Sequence, residues 1–315
     1  MMSSPSELAR LRELAMTLAD QQQADILLYR GDITRAAGHQ LTSGRRGRSD
    51  RPNVLLILST FGGSADTAYR LARALQHGYQ RFIVYVDDYC KTAGTLLALG
   101  ADELVMSDFG ELGPLDAQLN TPVELGKLSS GLTPVQALGT LRAQVQTFFQ
   151  YQFVQLRGQM TTQLAAERAS VMASGLFSPI YAQIDPMQLG EIDRGMDTSR
   201  KYGERIGSAN LKDGALEKLI TYYPSHDFAI DRDEARELFR RVREPTADEA
   251  ELLTYLEPLL ALPSNQARFI YLDELLSQAD VSEDEEEGDA GAAATSGDAV
   301  GGQPEGGIGE TGESS

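Results

Sequence analysis

Residues 54–75 read VLLILSTFGGSADTAYRLARAL. Val54 to Ser59 is a near-continuous apolar run of strand length, the pattern of a strand buried on both faces. Thr60-Phe61-Gly62-Gly63-Ser64 interrupts it, and Ala68, Leu71, Ala72 and Leu75 then recur at helical spacing up to His77-Gly78. Phe82 to Val86 (FIVYV) is the next strand, Asp87 to Lys91 a polar turn, Thr92 to Gly100 a small-residue helix and Glu103 to Met106 a further strand. Upstream, Ala24 to Tyr29 (ADILLY) ends at Arg30-Gly31-Asp32 as another short buried strand. Strands alternating with single helices predict parallel βαβ units in a sheet covered on both faces, an α/β core.

Outward from this core, Ser4-Pro5-Ser6-Glu7 carries the signals of a helix start, and Leu8, Leu11, Leu14 and Leu18 line one face of the helix that follows. Beyond Asn120 the texture turns helical: 134–156, 161–173, 186–206, 211–222, 231–239 and 248–260, with Arg268 to Leu272 as a late strand. The expected organisation is one domain over 1–276, with an N-terminal helix at 4–21, a core at 24–119 and a helical part at 133–276.

The 315 residues carry a formal charge of −18, but it is unevenly spread. Eleven acidic residues and nine glycines fall in 277–315, which has no Lys or Arg, leaving −7 for residues 1–276. Such a tail has almost nothing to bury against the entropy of ordering, so it reads as a disordered acidic Gly-rich segment. An acidic body with an acidic tail argues against a nucleic-acid partner. The only cysteine, Cys90, forbids an intrachain disulfide, and with His39, His77 and His226 it builds no zinc spacing. No metal or cofactor is expected. No apolar run approaches the ~18 residues of a membrane span, and Met1 to Gln21 is charged where a signal peptide would be apolar. The expectation is a soluble cytoplasmic protein.

Two strand-to-helix turns, at 60–64 and 88–94, leave adjacent strands at their carboxyl ends, where α/β folds place their sites. Gly62 and Gly63 let backbone approach a ligand closely and aim N–H groups at a developing oxyanion. Thr92-Ala93-Gly94-Thr95 puts a hydroxyl at a helix start beside small residues. Taken alone, a glycine pair is equally a tight turn, and Thr92 equally an N-cap.

The order and spacing of LLILSTFGGSADTA, IVYVDDYCKTAGTLLALGADELVM and LGPLDAQL resemble the serine dehydrogenase proteinase family, a branch of the signal peptide peptidase A peptidases within the Clp protease and crotonase fold. The segment Tyr222 to Asp231 (YYPSHDFAID), leading into Glu234-Ala235, is also similar to that family. The resemblance implies a Clp protease/crotonase-like spiral of ββα units with added C-terminal helices. It also implies homo-oligomers, and hydrolysis of peptides or unfolded protein by a serine nucleophile without a cofactor. Where the family has approximately AMSAGT, this chain has Cys90-Lys91-Thr92-Ala93-Gly94-Thr95, so Thr92 takes the serine position. The oxyanion donors then fall on Gly62, Gly63 and Ala93.

No histidine occurs at Gly113-Pro114-Leu115-Asp116, where the Clp subunit has one, so the general base falls on His226 or on Lys127, which would make a Ser/Lys-type dyad. Lys91 ranks below both, because neighbouring side chains in a turn diverge, and Cys90 reads as packing. A methyl on the nucleophile stiffens χ1 and crowds the attack. Two further readings therefore stand beside the peptidase: an inactive homologue that binds peptide or protein, and a crotonase-type acyl-CoA enzyme. The latter lacks a pair of Glu residues in the two turns.

Overall fold

The computed structural model describes residues 5–44, 51–115, 118–120, 128–130, 132–207, 209–225, 227–260 and 268–272. The chain divides after Asp273, and the unit Met1–Asp273 is the one described here. Ser4, Asp116, Lys127, His226 and the acidic tail, each invoked above, lie outside the described residues.

Helix α1 (Pro5–Gln22) leads into strand β1 (Ala24–Arg30), α2 (Arg35–Gly44), β2 (Asn53–Ser59), α3 (Ala65–Gly78) and β3 (Arg81–Val86). Then come β4 (Tyr89–Cys90), α4 (Ala93–Ala98), β5 (Glu103–Met106), β6 (Glu111–Leu112), β7 (Gln118–Asn120) and β8 (Leu128–Ser130). The helical part holds α5 (Leu132–Arg157), α6 (Thr162–Tyr181), α7 (Pro186–Ile206), α8 (Ala215–Thr221), α9 (Arg232–Leu238), β9 (Val242–Arg243) and α10 (Ala247–Leu260), before β10 (Arg268–Tyr271).

The main sheet runs β10-β1-β2-β3-β5-β9. Every neighbouring pair from β1 to β9 is parallel, and β10 closes the β1 edge antiparallel. Strand order therefore follows chain order, and the connecting helices α2, α3 and α4 all pack into one apolar cluster with Leu27, Leu56, Val84 and Leu104. A chain that winds forward strand by strand with its crossovers on one face is a spiral, with no reversal of strand order within it. Leu8, Leu11, Leu14 and Leu18 of α1 are buried as their spacing required, as are Leu252, Leu253 and Leu256 of α10. These two helices pack on each other, and α1 lies against β1.

Several elements differ from their sequence reading. The 87–91 turn contains β4, which pairs with β6 in a small second sheet. Helix α2 has only Ala37 and Leu41 as buried apolar residues, too few to mark a helical face. Helix α6 runs beyond 173 to Tyr181 with Pro179 inside it. Helix α7 is bounded as its sequence required, by Asp185 accepting from Met187 N–H, Pro186 at the first position and Gly207 in the left-handed region at the end.

Candidate active site

Strand β2 does not stop at Ser59; its backbone continues through Thr60 to Ser64, held on both sides. On one side Thr60 N–H donates to Tyr89 O at 2.9 Å and Lys91 N–H donates to Thr60 O at 2.9 Å. On the other, Ile33 N–H donates to Gly62 O at 2.7 Å and Ser64 N–H to Ile33 O at 2.9 Å. This is a parallel bridge between Ile33 and Gly63. In such a bridge the bonds come from the residues flanking Gly63, so the Gly63 N–H is directed away from Ile33. Gly63 has φ 129°, and a Cβ there would meet Ile33 O at 2.5 Å, so only glycine fits. Ser64 then caps α3, its hydroxyl accepting from Thr67 N–H.

Gly62 has a different task. Its N–H donates to the buried Thr60 Oγ1 at 3.0 Å, so of the two glycine amides this one is already engaged. Its φ is 123°, and a Cβ on it would lie 3.3 Å from Thr92 Cβ and 3.6 Å from Ala93 N. The two turns singled out in the sequence thus meet at Gly62 and Thr92.

Thr92 is half-buried with φ 44° and ψ −97°. Among the described residues only Gln23 shares a positive φ without being glycine. For a β-branched residue this backbone is an outlier, and it stores roughly 1–3 kcal/mol that the surroundings must hold in place. Its side chain makes no capping hydrogen bond to α4, so the role of ordinary N-cap does not account for it. Ala93 follows as the first residue of α4, where the N–H has no partner within the helix.

The neighbours of Thr92 are fixed by burial. Cys90 is fully buried, and burial pushes its thiol up to keep it protonated, against the smaller pull of Lys91. A Cβ on Gly94 would lie 2.4 Å from Thr60 Cγ2 and 2.8 Å from Cys90 Sγ, so α4 seats on the turn only through a glycine. Cys90 is packing, as its sequence suggested. Lys91 diverges from Thr92: Nζ lies 2.7 Å from Glu111 Oε1 and donates to Phe228 O at 3.4 Å. Thr95 Oγ1 lies 3.0 Å from Cys90 O and 2.8 Å from Gly113 O, and accepts the Gly113 N–H at 3.1 Å.

That hydroxyl ties the LGPL turn to the start of α4. Leu112 also exchanges two backbone hydrogen bonds with Ile230, at 2.9 and 3.0 Å. Three separate stretches of sequence, 60–64, 90–95 and 112–115, therefore form one continuous wall, and the segment 227–230 lies along it. Beside the glycine turn Phe61, 59% exposed, stacks on Tyr89 with ring centroids 3.8 Å apart. Arg30 donates to the Tyr89 hydroxyl at 3.5 Å. Sequence reasoning passed over this exposed aromatic platform, although Phe61 beside Gly62-Gly63 marked it.

Residues 27–125, which carry both turns and the LGPLD segment, match a family model. That model describes the ClpP-like SDH-type serine proteinases. The match takes in Gly62, Gly63, Thr92 and Ala93, and it places this part of the chain in the Clp protease-like fold that the one-directional spiral displays. Two uncharacterized proteins of Methanocaldococcus jannaschii are also similar to this chain. One is 39% identical over 75 residues, covering 24% of this chain and 26% of the relative. The other is 36% identical over 64 residues, covering 20% and 22%. The chain thus spans about a quarter of the length of the curated relatives it matches.

Two solved structures of the 1510-N membrane-bound stomatin-specific protease were also matched. One has 19% identity and a TM-score of 0.31 over 46% of this chain and 68% of that one. The other, a complex with a substrate peptide, has 16% and 0.38 over 79% and 86%. No described helix is long and apolar enough to cross a membrane. Among the described residues no group of three or more His, Cys, Asp and Glu could hold a metal ion.

Proposed function

We propose that the protein is a self-assembling cytoplasmic peptidase that cleaves peptides or unfolded protein by acyl transfer, with Thr92 as the nucleophile. One observation carries the reading: Thr92, a β-branched residue, is held at φ 44° at the start of α4, against a glycine turn that leaves no room for a side chain. Backbone strain of this kind is a signature of nucleophiles presented on a strand-to-helix turn. Thr92 Oγ1 attacks the scissile carbonyl carbon while a base takes its proton. The N–H groups of Gly63 and Ala93 receive the oxyanion, with Gly62 shaping the turn. The proton passes to the leaving amine as the C–N bond breaks, and water hydrolyses the resulting threonyl ester. His226 is the first candidate base. Its segment continues into Phe228 and Ile230, which bond to Lys91 and Leu112. Lys127, immediately before β8, is the second.

A binding-only homologue is the competing reading, favoured by the added methyl of Thr92 where Gly62 lies so close. Hydrolysis of a mixed peptide library by wild type, Thr92→Ser and Thr92→Ala decides between them. Turnover by wild type and Thr92→Ser, abolished in Thr92→Ala with its fold intact, is the expected result. Inert wild type with active Thr92→Ser indicates a repurposed peptidase, and inertness of both overturns the catalytic reading.

A further inference from the structure

Helices α5 and α6 form an antiparallel pair that, among the described residues, contributes none to the apolar cluster beneath the sheet. Along α6, Ala165, Ala169, Ala173 and Phe177 recur every fourth residue and are buried. Phe177 meets Phe148 of α5 edge to face, with centroids 6.0 Å apart. The pair is thus already satisfied along one stripe. Off that stripe, Leu164, Val171, Met172, Leu176 and Ile180 remain exposed, Val171 by 61%, as do Tyr151 and Val154 on α5. A Cβ on Gly175 meets nothing within 4 Å, so the α6 backbone is open to close approach at that point.

We infer that this surface is the contact between copies of the chain, two α5–α6 pairs packing face to face as a helical bundle about a two-fold axis. Two observations select a second copy over other occupants. First, the surface is electrically blank beyond its Leu164 end, where Glu167 and Arg168 stand: no Asp, Glu, Lys or Arg occurs in 143–156 or in 169–184, whereas the chain as a whole carries −18. Acidic copies repel one another over most of their surface and meet at least electrostatic cost at a neutral patch. A partner recognised by charge finds nothing to pair with there. Second, the area is right. Seven large side chains, each about half exposed, present on the order of 600 Å² of apolar surface, at the top of what a monomer shows and near the ~800 Å² each partner gives a stable interface. A two-fold contact also needs a surface complementary to itself, and a stripe of mixed large side chains around Gly175 supplies both knobs and a hollow.

The inference rests on the self-assembly proposed above, and the experiment separates the two. Light scattering on the full chain should show a multiple of 34.3 kDa. The double variant Val171→Glu with Leu176→Glu should fall to the single-chain mass with unchanged circular dichroism, because both positions are exposed in the single chain. As an independent arm, Cys90 is buried, so Val171→Cys or Leu176→Cys introduces the accessible thiol. Either should cross-link between copies with a bifunctional maleimide, whereas Met16→Cys, at an exposed position of α1, should not. A wild type of single-chain mass sinks self-assembly itself, and a single chain that floats with lipid vesicles assigns the surface to a membrane instead. A wild-type assembly that survives the double glutamate variant and gives no cross-link at 171 or 176 leaves self-assembly standing and overturns this interface.

Discussion

Gly62 and Thr92 touch across two turns that the chain makes separately: a Cβ on Gly62 would stand 3.3 Å from Thr92 Cβ, at the tight end of real contacts. Gly62 also sits at φ 123°, where a side chain is strained even in open space. The substitution Gly62→Ala is therefore expected to cost on the order of 1–3 kcal/mol and to displace the Thr92 hydroxyl. Urea unfolding and peptide hydrolysis check it. A variant with wild-type stability and turnover would show that the turn tolerates a side chain after all.

Lys91 immediately precedes Thr92 and holds that turn to β6 and to Phe228. Replacing it by Met keeps its length and removes its charge. Glu111 loses its partner but is about one-third exposed, so water takes over part of the role. Lys91→Met should lower stability by about 1–3 kcal/mol. Turnover should fall further than stability, because the strained backbone of Thr92 loses one of its anchors. Melting curves alongside kcat report the two effects separately, and an unaltered kcat would remove Lys91 from any positioning role.

Acid should find a weak point at Glu249. This carboxylate is 1% exposed. It is bound by two Arg243 nitrogens at 2.6 and 2.7 Å, by Thr246 N–H at 2.7 Å and by Gln22 Nε2 at 2.8 Å. Burial alone would raise its pKa, but the Arg243 hydrogen bonds, with Thr246 and Gln22, outweigh that and hold it below the usual carboxylate range. A depressed folded-state pKa contributes stability that is complete above the unfolded value, ~4.3, and is lost as pH falls through the folded one. Glu249→Gln should cost about 3 kcal/mol at pH 7. It should also flatten the fall of melting temperature below pH ~4, and an acid limb as steep as wild type's would acquit Glu249.

The pH dependence of hydrolysis discriminates the base. Rate rises as a base loses its proton, so a His226 base gives a rising limb at roughly pH 6 to 7, and a Lys127 base, which works only where its pKa is lowered, one at roughly pH 8 or above. The expected result is the lower limb, with a loss of about a hundredfold or more in His226→Ala and near silence in Lys127→Ala. Survival of the rate within about threefold in His226→Ala moves the role to Lys127.

Some of this was written in the chain itself. Val54 to Leu58 and Phe82 to Val86 are near-continuous apolar runs, so burial on both faces was legible in composition, and the alternation of strands with single helices gave the parallel sheet. The glycines at 62 and 63 announced a turn, and the family-like order of motifs announced the fold. A capping box at the start of α10, Thr246 with Glu249 three residues on, was equally legible. It would have placed the first helical residue at Ala247, one residue earlier than apolar spacing did.

Tertiary structure alone decided the rest. Strands β4 and β6 have two residues each, below any window in which periodicity has meaning, and they exist because the backbones at 60, 90 and 112 lie side by side. The positive φ of Thr92 is invisible in sequence, since a threonine's own preference opposes it. Gly62 lies against Thr92 on one flank, and the residues before it, Cys90 and Lys91, are held by Thr95, Gly113 and Glu111 on the other. Gly62 and Gly63 look identical in the chain, yet Thr60 occupies the N–H of the first and the Ile33 bridge turns that of the second away. Short-range propensity sets which residues form strands and turns; which way each glycine amide points depends on the contacts the folded chain brings to it.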